Sequence, residues 1–172
     1  LVLDHARAAG EKIRISGGGR CNFTNLTVAP ERFLSVNPRF ALSALNRFTP
    51  QDFIARVNRA GIAWHEKTLG QLFCDGSAKE IIAMLLHDMA EAGAALRLGV
   101  TVRSVSRDGA FRVDTDQGLI VADRLVVATG GKSIPKMGAT GLGYQIAESF
   151  GLPLVPTRPG LVPLTFAGQD LA

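Results

Sequence analysis

An α/β fold built on a parallel sheet is the class this sequence predicts, and three observations predict it. Leu1, Val2, Leu3 and Asp4 read as the end of a buried parallel strand with a carboxylate at its tip. Leu125, Val126, Val127 and Ala128 form a continuous apolar run of the kind buried on both faces of a parallel sheet, broken at once by Thr129, Gly130 and Gly131. Between them lie helical periods and an antiparallel pattern of three short strands, which would connect helix and sheet as a crossover.

The elements follow in order. Ala41, Leu45 and Phe48 recur at helical spacing within residues 38–48. Thr49 and Pro50 then open a second helix as N-cap and first residue; Phe53, Ile54, Val57 and Ala60 make its apolar face, and Gly61 ends it. Residues 62–66 and 71–74 suit a small hairpin around Lys67, Thr68, Leu69 and Gly70. Ser77 and Glu80 have capping-box spacing, and the helix they open is expected to bury Ile81, Ile82, Leu85, Leu86 and Met89 before Gly93 stops it. Val100 and Val102 begin an extended run; turns at Asp108 and Gly109 and at residues 116–118 fold residues 111–122 back into a meander. A short helix over residues 144–150 ends at Gly151. Beyond it Pro153, Pro156, Pro159 and Pro163 interrupt apolar pairs, which places a boundary near residue 152: a first domain over residues 1–151 and the start of a second, β-rich domain over residues 152–172.

With 172 residues, 47% apolar and 20% charged, the chain suits one sizeable core and excludes disorder. No apolar run approaches the roughly 20 residues a bilayer requires, so no membrane role is expected. Cys21 and Cys74 are two and far apart, with no CxxC pair, which fits reduced thiols and a cytoplasmic location and argues against a dithiol reductase. No His/Cys cluster suggests a metal. A net charge of +4 and a pI near 9.5 suit an anionic cofactor or nucleic acid, although Lys and Arg are scattered and aromatics make up only 6%, so no stacking platform for single-stranded RNA stands out.

The stretch with most chemistry is the loop Ser16, Gly17, Gly18, Gly19, Arg20, Cys21, Asn22, followed by Thr24 and Asn25. Adjacent glycines leave backbone N–H groups uncovered and able to face an anion such as a phosphate or the edge of a flavin; a plain surface turn is the alternative. At a strand tip, a carboxylate such as Asp4 suits the ribose hydroxyls of a dinucleotide, or simply ends a strand. Thr129, Gly130 and Gly131 likewise suit a ligand crossing a strand end, or a tight exit. Trp64, His65 and Glu66, with His5 and His87, read as structural, because a histidine needs a placed partner before it works as acid or base. No residue stands out as catalytic.

The glycine loop resembles the signature of the BaiN/YhiN-like flavoproteins. A second block, residues 126–133 with Pro135 and residues 138–143, resembles the same family in the expected order. The resemblance implies a Rossmann-like FAD-binding domain of glutathione-reductase-like build, incomplete at both ends because the first glycine fingerprint does not precede Asp4. It implies FAD as cofactor, NAD(P)H as electron donor, and a small-molecule or RNA substrate: an unsaturated bile-acid intermediate, or uridine reduced to dihydrouridine in ribosomal RNA. A flavin- or nucleotide-binding module without turnover is the alternative. Under the resemblance Lys12, Ser16 and residues 17–19 lie along the dinucleotide, and Arg20, Cys21 and Asn22 lie nearer the isoalloxazine. Asp4, Thr24, Thr129, Gly130 and Gly131 complete the cofactor contacts, with the Val102 backbone at the adenine. Cys21 admits a redox role, but packing is favoured for a lone cysteine. Where many family members carry an acidic residue, this chain has Leu142.

Overall fold

Strand β1, Val2–Leu3, runs parallel to β5, Leu96–Arg97. The Val2 N–H donates to the Ala95 carbonyl at 2.8 Å and the Asp4 N–H to the Arg97 carbonyl at 3.0 Å. The computed structural model describes residues 1–132 and 140–158, which fall into two compact units, the first over Leu1–Ala122 and the second beginning at Asp123. Parallel pairing agrees with the sequence reading, but the strand is not buried: Leu1 and Val2 are exposed, because β1 has β5 as its one paired neighbour among the described residues.

The core of the first unit is organised by α4, Ala78–Glu91. Its capping box forms as its sequence requires: the Lys79 N–H donates to the Ser77 hydroxyl at 3.2 Å and the Ser77 N–H to the Glu80 carboxylate at 3.0 Å. Ala78, Ile81, Ile82 and Met84 are buried. Leu86, expected inside, is exposed and Met84 takes a core place instead. The seam turns toward positions three apart, 78, 81 and 84, and so leaves 86 to solvent. Helix α1, Glu11–Ile15, packs on α4 so closely that a Cβ at Gly10 would lie 2.8 Å from Ile82 Cγ1.

Helix α2, Leu42–Arg47, starts later than the apolar period suggests, and Phe48 caps its C-terminus. Helix α3, Pro50–Arg59, has the expected Thr49 cap, completed by Asp52, whose carboxylate accepts from the Thr49 N–H and hydroxyl at 2.7 Å each. These bonds hold the Asp52 carboxyl below its usual range. Arg56 pairs with Asp88 and so ties α3 to α4. Strands β3, Trp64–Glu66, and β4, Gln71–Cys74, make the expected hairpin; β2, Asn22–Asn25, adds to the other side of β4, giving the antiparallel order β2-β4-β3. Strands β6, Val102–Asp108, β7, Ala110–Thr115, and β8, Gly118–Ala122, form the expected meander.

In the second unit α5 spans Leu142–Ser149 and ends before Gly151, whose φ is 71°. The strand expected over residues 125–128 does not form: no ladder includes it among the described residues, and Val126 is 85% exposed. Apolar sequence makes a strand only where a neighbour accepts its hydrogen bonds. Residue 152 falls within this unit; Ser133, Pro135, Gly138 and residues 159–172 lie outside the described residues.

The caps set a measurable energy. In the full-length protein Ser77→Ala should lower unfolding free energy by about 1 kcal/mol in urea titration. Leu86→Gln, at an exposed position, should change it by less than about 0.5 kcal/mol.

A candidate nucleotide-binding site

The glycine loop is built by backbone geometry. After α1 the Ser16 hydroxyl donates to the Ile13 carbonyl at 2.9 Å, and the chain turns through Ser16–Gly19 with Gly17 at φ 57°, ψ 33° and Gly18 at φ 66°, ψ 30°. Consecutive left-handed residues of this kind cost little only for glycine. Gly17 has a second reason to be glycine: its Cβ would stand 2.5 Å from Phe73 Cε1 and 2.8 Å from the Asn22 nitrogen. Gly18 faces open space. The turn consumes some of its own donors, for the Arg20 N–H donates to the Gly17 carbonyl at 3.4 Å and the Cys21 N–H to the Ser16 carbonyl at 3.0 Å. The Arg20 and Cys21 amides are therefore spent within the turn.

Sheet β2-β4-β3 fixes the loop's far end. The Cys74 N–H donates to the Arg20 carbonyl at 2.9 Å, and Cys21, at φ 53°, is buried in the same cluster as Cys74, Val57 and Ile81. Its thiol packs as a small apolar group. Burial pushes the Cys74 thiol up to about 11, with Cys21, Glu80 and Asp75 adding to the rise. Both thiols are free and enclosed, so the packing around them limits access to either sulfur. Lys12, Arg20 and Asn22 are exposed on the loop and its approach, while Thr24 is half-buried and lines a cleft of about 290 Å³ with Phe23, Val28, Leu45, Phe48 and Phe53.

Asp4 stands at the tip of β1. Its Oδ1 accepts from the Ala6 N–H at 2.9 Å, which orients the carboxylate. The Val100 N–H donates to the Asp4 carbonyl at 3.0 Å, and Val102 follows two residues later at the start of β6. Thus the expected ribose and adenine positions share one hydrogen-bonded neighbourhood. In the second unit Thr129, Gly130 and Gly131 pass the start of α5, where a Cβ at Gly143 would lie 2.6 Å from Thr129 Oγ1 and one at Gly131 would lie 3.3 Å from the Tyr144 hydroxyl. Lys132 Nζ sits 5.4 Å from the Tyr144 ring centroid.

Sequence reasoning missed Phe73 and Gly143. The only signal for Phe73 was its place in the apolar run Leu72, Phe73, Cys74; Gly143 read as one more glycine of a helix start. His65 has a partner after all: Nδ1 lies 2.6 Å from Asp75 Oδ1, and the ring stacks on Phe73 at 6.3 Å and 19°. His5 and His87 lie 3.7 Å from Asp4 Oδ1 and 3.4 Å from Glu91 Oε1. Among the described residues no group of His, Cys, Asp and Glu is arranged to hold a metal, and no helix is long and apolar enough to cross a membrane.

A parallel strand pair ending in a carboxylate, a left-handed glycine turn after a helix and an antiparallel meander together make an α/β domain. The sequence profile described as the HI0933-like protein Rossmann domain matches residues 1–168, and the chain belongs to that family. It is 53% identical over 166 residues to a ribosomal RNA dihydrouridine synthase of Escherichia coli (strain K12), an alignment covering 96% of this chain and 42% of the relative. To the protein of the same name from Haemophilus influenzae it is 47% identical over 174 residues, 98% of this chain and 43% of the relative. A 3-dehydro-bile acid delta(4,6)-reductase of Clostridium scindens is 28% identical over 167 residues, 95% of this chain and 40% of the relative. The chain spans about two-fifths of the length of these relatives.

Two outcomes test this geometry in the full-length protein. Gly17→Ala should cost about 2 kcal/mol or more, because strain adds to collision with Phe73, whereas Gly18→Ala should cost about 1 kcal/mol from backbone strain alone; thermal unfolding separates them. A thiol raised in the folded state binds its proton more tightly there than in the unfolded chain. The Cys74 contribution is therefore complete below its ordinary value of 9.0 and is lost as pH climbs toward about 11. The urea midpoint should fall across that window, and fall less in Cys74→Ala.

Proposed function

We propose that the full-length protein is an FAD-dependent reductase that uses NAD(P)H to convert uridine to dihydrouridine in ribosomal RNA. The observation that carries this reading is the 53% identity, over 96% of the chain, to a relative named for that reaction, against 28% to the bile-acid reductase. A net charge of +4 is in keeping with a polyanionic substrate.

The residues present fit the adenine-linked half of such a cofactor. Asp4 has its Oδ1 engaged by the Ala6 N–H while Oδ2 makes no protein hydrogen bond among the described residues, so it is available for ribose hydroxyls. Gly18, with nothing within 4 Å of where a Cβ would stand, permits close approach of a phosphate or ring edge to the main chain. The Val102 backbone would take the adenine, and Lys12 and Arg20 would offset anionic charge. When bound, the flavin supplies two-electron transfer between nicotinamide and the uracil ring. The overall change adds a hydride and a proton across the uracil C5=C6 bond and releases NAD(P)⁺. This chain's share is to hold the dinucleotide and to keep both thiols out of that exchange.

Purified full-length protein should be yellow and should bleach anaerobically with NAD(P)H. Ribosomal RNA from cells lacking the gene should lose a nucleoside heavier than uridine by two hydrogens, and the wild-type gene should restore it. Asp4→Asn should weaken FAD retention about tenfold through loss of charge-assisted bonds. Flavin that is bound yet inert toward NAD(P)H would assign the protein to ligand-binding modules without turnover, and ribosomal RNA unchanged by deletion would exclude the proposed substrate.

A further inference from the structure

Three Arg-Phe pairs occur close together in the chain: Arg32 and Phe33, Arg39 and Phe40, Arg47 and Phe48. The rings do not enter the core. Phe33 is 46%, Phe40 79% and Phe48 48% exposed, and all three arginines are exposed. None of the three guanidinium groups has an ion pair or side-chain hydrogen bond among the described residues, whereas Arg56, on α3, is paired with Asp88. Residues 32–51 contain no Asp or Glu, and the acidic groups flanking them are Glu31, next to Arg32, and Asp52, which is engaged by Thr49. Folded proteins seldom leave several large rings in water beside unpaired cations; guanidinium and phenyl groups side by side suit a ligand with alternating anionic and flat aromatic parts. Single-stranded nucleic acid has that chemistry.

The placement joins this segment to the site described above. Phe48 forms one wall of the 290 Å³ cleft, braced edge-on by Phe53 with ring centroids 6.3 Å apart, and Thr24 of β2 lies on its lining. Strand β2 begins at Asn22, the last residue of the glycine loop. An RNA base stacked on Phe48 therefore lies at the cleft that β2, the strand leaving the loop, helps to line. We infer that residues 32–48 form a single-stranded RNA-binding face, in which Arg32, Arg39 and Arg47 meet phosphates and Phe33, Phe40 and Phe48 stack on bases. This rests on the RNA reading of the function and names the surface that would serve it.

The test uses the full-length protein and a fluorescent, uridine-rich single-stranded RNA of about 12 nucleotides, followed by anisotropy across a salt series. Replacing Arg32, Arg39 and Arg47 together by Gln should reduce the slope of log affinity against log salt by about 2, and replacing them by Lys should restore it. Phe40→Ala should weaken binding about tenfold with the slope unchanged. Flavin absorbance and the rate of NAD(P)H oxidation should stay at wild-type values throughout, since these residues lie outside the proposed cofactor contacts. Wild-type protein that retains RNA while the Gln variant keeps the full salt slope would overturn this inference alone. Wild-type protein that retains no RNA would overturn it together with the ribosomal RNA reading. If Phe33→Ala and Phe40→Ala bind RNA normally but lower the melting temperature, the face is covered by the rest of the polypeptide and the inference fails.

Discussion

The contact between Gly17 and the Phe73 ring is the constraint on which the rest of the site depends. It presses the left-handed turn against the central strand of sheet β2-β4-β3, and that strand reaches the core through Cys74 and α4. A side chain at position 17 would push the ring or the loop away. Because the Cys74 N–H also bonds the Arg20 carbonyl, the strand both supports the turn and ends it, so the loop is held at two points by one element. Such a loop can meet a ligand without first paying to become ordered.

Local signals carried much of this in the sequence. Ser77 with Glu80, and Thr49 with Pro50, announce helix starts through side chains that satisfy neighbouring amides, so chemistry within four residues decides them. The hairpin turns at Gly109 and Gly70 and the stops at Gly61, Gly93 and Gly151 are equally local: each needs a positive φ, and glycine supplies it. Residues 125–128 fared differently. Their apolar run matches a parallel strand, but a strand is defined by its partners, and pairing is not written in the run itself.

The site divides along the same line. Asp4 at a strand tip and a glycine turn were legible because each follows from its own sequence neighbourhood. That the turn would spend the Arg20 and Cys21 amides on itself, and that Phe73 would lie beneath Gly17, depend on contacts between residues far apart in sequence. Composition is silent on placement: an aromatic content of 6% does not tell that Phe33, Phe40 and Phe48 are exposed next to arginines in the sequence. Averages over a chain say nothing about which side chains a fold leaves outside.

The enclosed sulfur of Cys21 and Cys74 has a consequence for how such a protein meets its surroundings. A reachable thiolate in any protein invites side reactions with peroxide, small thiols and neighbouring disulfides. Here both sulfur atoms sit behind the wall that α4 and β4 make, and Cys74 keeps its proton far into alkaline solution. This stretch of the polypeptide is thereby insulated from the redox poise around it, and swings in oxidant level should leave its shape untouched.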